Sequence, residues 1–225
     1  MDTANDYRIL MAEEAVRRLE RRLKQWGMPW PFNRAKAMEE LEKARKSLLR
    51  VRYSYLPARD LLESEDLARV VESARNLARM ILPEHPPKLE GARALALAEM
   101  KWALSILLGL PQRIMLGEEN HPEYAVDVVG VEVVRVEPLQ GSDNLFFTRA
   151  SAGKAAFTII TNLRDIRVGE VRAAAILPPA EFSGVVSEAM YSSPPIEEKY
   201  KGKRVPRKLL SSELRSVIIR LLEKR

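Results

Sequence analysis

The side chains that most often carry chemistry are scarce in this sequence. Cysteine is absent, which excludes a thiol nucleophile, a disulfide framework and a zinc knuckle. His85 and His121 are the two histidines, too few for a histidine metal cage. Glu39 and Glu40 occupy adjacent helical positions and diverge, which suits solvation better than acid–base work. Asp143, Glu181 and Glu188 fall into no acid–base or metal-binding spacing. The sequence therefore predicts a non-catalytic protein that carries neither cofactor nor metal.

What it does offer is cations. Lysine and arginine number 37 against 31 acids, a formal +6. The excess gathers at the two ends, with 14 bases against 9 acids in residues 1–60 and 10 against 6 in residues 181–225. Basic ends steer a polyanion by long-range attraction, with plain surface solvation as the competing reading. In the first segment the phosphate candidates are Arg17-Arg18 and Arg21-Arg22. The densest run is KYKGKRVPRK at 199–208, where Lys199, Lys201, Lys203, Arg204, Arg207 and Lys208 follow one another. That run reads as a flexible tether making nonspecific contacts to a nucleic-acid backbone.

With 225 residues, 46% apolar and 30% charged, the chain can bury a real core in one large domain or two modest ones. No run approaches eighteen uncharged apolar residues, and residues 1–15 carry charges where a signal peptide needs its apolar segment. A cytoplasmic protein with no membrane association is the expectation. The preference for arginine over lysine, 25 to 12, together with abundant glutamate, hints at heat adaptation.

Residues 6–27 place Ile9, Ala12, Val16, Leu19, Leu23 and Trp26 at helical spacing, and Gly27 and Pro29 stop the helix. Asn33 caps a second helix with the stripe Ala37, Leu41, Ala44, Leu48, Val51, ended before Pro57. Ser64 starts a third through Ile81. The stretch 89–109 is apolar almost all round and predicts the central helix of a bundle, closed by Gly109 and Pro111. The tryptophans here read as packing groups rather than base-stacking ones.

From Tyr124 the period changes to short β-branched runs: VDVVGVEVVRVE, NLFFTRAS, AAFTIIT, VRAAAILPP and a last one near Val185–Tyr191. Gly130 reads as a bulge or bend. About five strands in seventy residues suit a small closed barrel, with an SH3-like barrel or an open sheet as alternatives. The last residues, SSELRSVIIRLLEKR, form a short helix begun by Ser211 or Ser212, too short to stand undocked.

The stretch 126–193 resembles the tRNA-binding OB domain of the EMAP II/Trbp111 family. The resemblance lies in VGVEVVRVEPLQGSDNLFFTRASAG at 129–153, TIITNLRDIRVGE at 158–170 and ILPPAEFSGVVSEAMYSS at 176–193. In the last of these, Pro179, Gly184, Ser187, Glu188 and Met190 match the family's NLKPxKxRGxxSEGM. As a whole the chain resembles archaeal proteins described as predicted RNA-binding proteins with a C-terminal EMAP domain.

The resemblance implies an α+β protein: a helical bundle over 1–115, an OB barrel over 122–194, and a basic tail with a terminal helix over 195–225. It implies RNA as partner, tRNA first, and a homodimer or an association with an aminoacyl-tRNA synthetase or other protein. A protein-interaction or chaperone-like module is the alternative function. The family's motifs point to Asp143, Asn144, Ser187 and Glu188 as RNA contacts; residue type adds the ring of Phe147 and the cations Arg149, Lys154, Arg164 and Arg167 on the barrel, with the six cations of the tail.

Ser187 and Glu188 are open to a second role in capping backbone donors, and Asp143 to anchoring its turn. Met190 is expected in the barrel core. Of Phe146 and Phe147, one should face the core and one the surface. Arg172 and Phe157, Phe146 and Phe182 complete the surface candidates. Three family cations are missing, their positions held by Pro178, Glu181 and Ser183, and the family's loop lysine is Asn144.

Overall fold

The computed structural model describes residues 1–223. They divide into two compact units, a helical one of Met1–Leu89 and Glu99–Ala125 with 221–223, and a β-rich one of Glu90–Ala98 and Val126–Arg220. No helix among the described residues is long and apolar enough to cross a membrane.

The helical unit is built from amphipathic stripes. In α1 (Tyr7–Lys24), Ile9, Ala12, Val16, Leu19 and Leu23 are buried. Asn33 caps α2 (Arg34–Arg52) by accepting the Lys36 amide at 3.0 Å. Two short helices break the simple bundle expected from periodicity. Pro57 opens α3 (Ala58–Leu62) rather than ending a helix, and Ser64 then caps α4 (Glu65–Ile81). In α5 (Gly91–Leu108) the 102–107 segment buries Trp102, Ala103, Leu104, Ile106 and Leu107. Gly109 and Pro111 do not simply stop α5: they start α6 (Leu110–Ile114), where proline is tolerated because first-turn amides need no helical partner.

The β-rich unit is an OB-type barrel. Its strands are β1 (Val128–Pro138), β2 (Phe146–Ser151), β3 (Ala156–Thr161), β4 (Val171–Ala175), β5 (Ala180–Phe182), β6 (Val185–Ser187) and β7 (Met190–Tyr191). The antiparallel order is β3-β2-β1-β4-β7, and β5-β6 form a separate hairpin. Val131, Val133, Ala150, Ile159, Ala174 and Tyr191 fill the interior. The last expected strand, near Val185–Tyr191, is divided between β6 and β7.

Tyr191, not Met190, is the residue of β7 that enters the core; Met190 stays half-buried. The Tyr191 hydroxyl meets Thr148 Oγ1 at 2.9 Å, and Thr148 donates to the Ile159 carbonyl at 2.7 Å. Burial pushes the Tyr191 phenol up to about 12, so it stays neutral and able to donate throughout the physiological range.

Ser187 and Glu188 close the barrel. The Glu188 amide donates to the Thr158 carbonyl at 2.9 Å. The Glu188 carboxylate accepts the Thr158 amide at 3.1 Å, and Ser187 Oγ accepts the Ile160 amide at 3.0 Å. Together these bonds satisfy the outer edge of β3, which would otherwise be left open.

The basic segment is not the loose tether its composition predicts. It folds through 3₁₀ turns at Glu198–Tyr200 and Arg207–Leu209 into α7 (Ser212–Glu223). Between the two turns it lies along the part of β1 that β2 does not reach. Gly130 donates to the Lys203 carbonyl at 2.9 Å, Gly202 donates to the Gly130 carbonyl at 2.8 Å, and Val205 donates to the Val128 carbonyl at 3.0 Å. Val205 is buried.

Gly130 is therefore not the bulge. A Cβ at this position would overlap the Tyr200 carbonyl, so glycine is what admits the tail. The register shift lies between Val133 and Arg135. Gly130→Ala is expected to cost about 1–3 kcal/mol by overpacking two backbones. Limited trypsin digestion should then cut at Lys201 and Lys203 faster than in the wild type; equal rates would show that the tail does not depend on this contact.

Candidate nucleic-acid interface

The outer face of β1–β2–β3 is set by alternation around the buried Thr148 and Ala150 of β2. Phe147 and Arg149, between and beside them, point outward. Across the sheet Phe147 lies opposite Glu137 and Ile160, and Arg149 opposite Arg135 and Thr158. The Arg135 guanidinium sits 5.8 Å from the centre of the Phe147 ring, a cation–π contact. It also pairs with Glu137 at 2.6 Å. Arg149 donates to Thr158 Oγ1 at 2.8 Å. Phe146 shares the inward face of Thr148 and Ala150 while Phe147 faces outward, although both rings are half-buried.

Arg135 is absent from the sequence-derived candidates. Strict alternation from Val131 and Val133 aims it into the core. The bulge at Val134 inserts one residue and turns Arg135 outward beside Arg149. The signal was present in the broken spacing between Val133 and Val136.

The β1–β2 loop closes on its own backbone, Leu139 donating to Leu145 at 2.9 Å and Ser142 to Leu139 at 3.2 Å. Asp143 is exposed and does not anchor it. Asn144 accepts from Arg164 at 3.1 Å, tying this loop to the 162–170 connector, on which Arg167 is also exposed. Lys154 is exposed in the β2–β3 turn. Gly202 packs against the Ala152 carbonyl of that same turn, which brings the tail beside it.

The six tail cations divide by their partners. Lys199 pairs with Glu197 at 2.7 Å, Arg204 with Asp127 at 3.6 Å, and Lys201 with Glu132. The bond to Glu132 holds the Lys201 ammonium above its ordinary value. Lys203, Arg207 and Lys208 are exposed and make no ion pair among the described residues. They are the tail charges available to a phosphate.

Other candidates turn inward. Arg172 is 2% exposed and is not a surface cation. It shares the register position and face of Val131, and its guanidinium engages Glu170 and Asp165 on the connector. That guanidinium draws the Asp165 carboxyl below its usual range. Ser187 and Glu188 are occupied in the barrel seam.

In the helical unit the paired arginines converge on two buried carboxylates, with Arg17 and Arg21 still exposed and Arg18 and Arg22 half-buried. Arg17 and Arg18 bond Glu14, while Arg18, Arg21 and Arg22 bond Glu99. Trp26 and Trp30 donate to the Trp30 and Ile81 carbonyls, each at 3.0 Å, which makes them packing groups. Among the described residues no group of three or more acidic or histidine side chains is placed to hold a metal.

Residues 1–117 match the family model described as an alpha helical domain. That match covers more than half of the chain, and the chain belongs to this family. A solved structure described as the crystal structure of a MetRS related protein from Pyrococcus horikoshii is similar over 37% of this chain and 92% of its own, at 22% identity and a TM-score of 0.34. Among curated proteins none matches the chain.

Proposed function

We propose that this protein binds RNA, tRNA foremost, without catalysing a reaction on it, through the outer face of β1–β2–β3 and the basic segment laid along β1. One observation carries the reading: Phe147 stands beside the facing pair Arg135 and Arg149 on the face that OB barrels turn to oligonucleotides. A ring that stacks on a base and cations that meet flanking phosphates form the minimal single-strand platform. Lys154, Lys203, Arg207 and Lys208 extend the positive surface beyond it. The resemblance of 126–193 to a tRNA-binding domain supports the same substrate.

The β5–β6 hairpin favours a second reading. It exposes Phe182 beside Glu181, which stands where the resembling family has a cation, and this suits a protein partner such as a synthetase. A gel-shift titration with structured tRNA and with unstructured RNA separates the two. Binding to either at low salt that weakens as salt rises is the expected result. Absence of binding to both would leave the protein-interaction reading.

A further inference from the structure

The connector after β3, the β5–β6 hairpin and the first turn of α7 line a half-open cavity of about 350 Å³. That is near the lower end of small-molecule sites, which run from about 300 to 1,000 Å³. Its walls are largely apolar, with Leu163, Pro178, Phe182 and Met190 over a floor that includes Ile160. Its polar residues are Thr161, Asn162, Ser187, Tyr191 and Glu213, and the hydroxyls of Thr161, Ser187 and Tyr191 are already hydrogen-bonded within the barrel. No lysine or arginine lines it, so a phosphate is not its occupant. Glu213 is exposed and has no hydrogen-bond or ion-pair partner among the described residues. A carboxylate accepts hydrogen bonds and donates none.

The position of the cavity matters as much as its lining. Ile160 lies directly opposite Phe147 in the β2–β3 register, so its floor is the next strand over from the stacking ring, about 4.8 Å away. A single strand crossing Phe147 therefore delivers its neighbouring base to this opening. The occupant must be planar, largely apolar on its faces, and bear donors on one edge. Guanine fits best, because its ring N–H and exocyclic amino group lie side by side and match the two oxygens of one carboxylate. Adenine, cytosine and uracil each present a single donor group on the corresponding edge.

We propose that this cavity is a guanine subsite, with Glu213 accepting from the base edge and Phe182 and Pro178 covering its face. The proposal rests on the RNA-binding reading and adds base preference to it. The test is fluorescence anisotropy of the full chain at low salt with a short oligouridine, the same strand carrying one central guanine, and the same strand carrying inosine, which lacks the exocyclic amino group.

The guanine strand is expected to bind about tenfold tighter than oligouridine, within the range of a good bidentate base contact, and inosine should lose most of that gain. Glu213→Gln and, separately, Phe182→Ala should abolish the preference while leaving oligouridine affinity and the melting curve unchanged. Equal affinity for guanine and uracil strands, or a preference that survives Glu213→Gln, would overturn the subsite and leave RNA binding standing. Failure of every strand to bind would overturn both. Binding of an apolar lysine-bearing peptide by the wild type but not by Glu213→Gln, with no guanine preference in RNA, would make the cavity a peptide site and overturn the proposal.

Discussion

Glu99→Gln should lower the stability of the helical unit by about 3–5 kcal/mol, the cost of removing one partner from a buried ion cluster. The Glu99 side chain is 4% exposed and takes Arg18 at 2.8 Å, Arg21 at 3.0 Å and Arg22 besides. Arg18 also lies 5.6 Å from the centre of the Trp102 ring. Glutamine keeps the shape but leaves the arginines crowded together without their counter-charge. All three tryptophans, Trp26, Trp30 and Trp102, belong to the helical unit, so tryptophan emission follows its unfolding separately from the barrel. The emission midpoint should fall by on the order of 10 °C. A midpoint unchanged within a degree or so would show that the cluster is a solvated surface network.

The same carboxylate sets an acid dependence. Burial pushes the Glu99 carboxyl up, but the bonds and charges of Arg22 and Arg18 outweigh it and hold the group below the ordinary glutamate range. A lowered folded-state value means that its stabilising contribution is fully present above the unfolded-chain value, about 4.3. That contribution is then lost as pH falls through the folded one. Part of the acid sensitivity of the tryptophan-monitored transition should therefore disappear in Glu99→Gln.

Phe147→Ala carries the second large expectation. Base–aromatic stacking is worth about 1–3 kcal/mol per base, so RNA affinity should fall by roughly 5- to 150-fold. Two features of the site place the loss in stacking rather than folding. Phe147 is only half-buried and lies outside the interior cluster of the barrel, and the bond from Thr148 to Ile159 holds β2 to β3 independently of it. Phe147→Tyr, which preserves the ring, should retain most of the affinity. Loss of binding in both variants, or in neither, would remove Phe147 from the interface.

Much of the architecture is legible in the sequence. Asn33 and Ser64 cap the helices they precede, and the stripes of α1, α2 and α4 are their buried faces. Periodicity reads such elements well because each depends on neighbours one turn away. What it missed depends on distant partners. Gly130 has no local reason to be glycine; the reason is the backbone of Tyr200, brought alongside only when the barrel is formed. Arg172 reads as a surface charge until the connector carboxylates meet it at the barrel end. Arg18, Arg21 and Arg22 look like part of a phosphate patch because their shared partner Glu99 is far away in sequence.

The interface was legible in part. Alternation alone aims Phe147 and Arg149 outward once Thr148 and Ala150 are known to be buried. Arg135 joins them through a bulge that no composition rule marks, and the ordering of the tail follows from backbone bonds to β1 that its charge gives no hint of. The excess charge of the basic segment therefore sits on the barrel as part of one surface rather than swinging freely beside it.

The salt dependence of RNA binding tests that surface most directly. For single strands log K falls with log salt at a slope of about −0.7 per neutralised phosphate. Neutralising Lys203, Arg207 and Lys208 together should make the slope shallower by about 2 and weaken binding at low salt, while the protein keeps its fold. An unchanged slope in the triple variant, or no RNA binding by the wild type at low salt, would contradict the account.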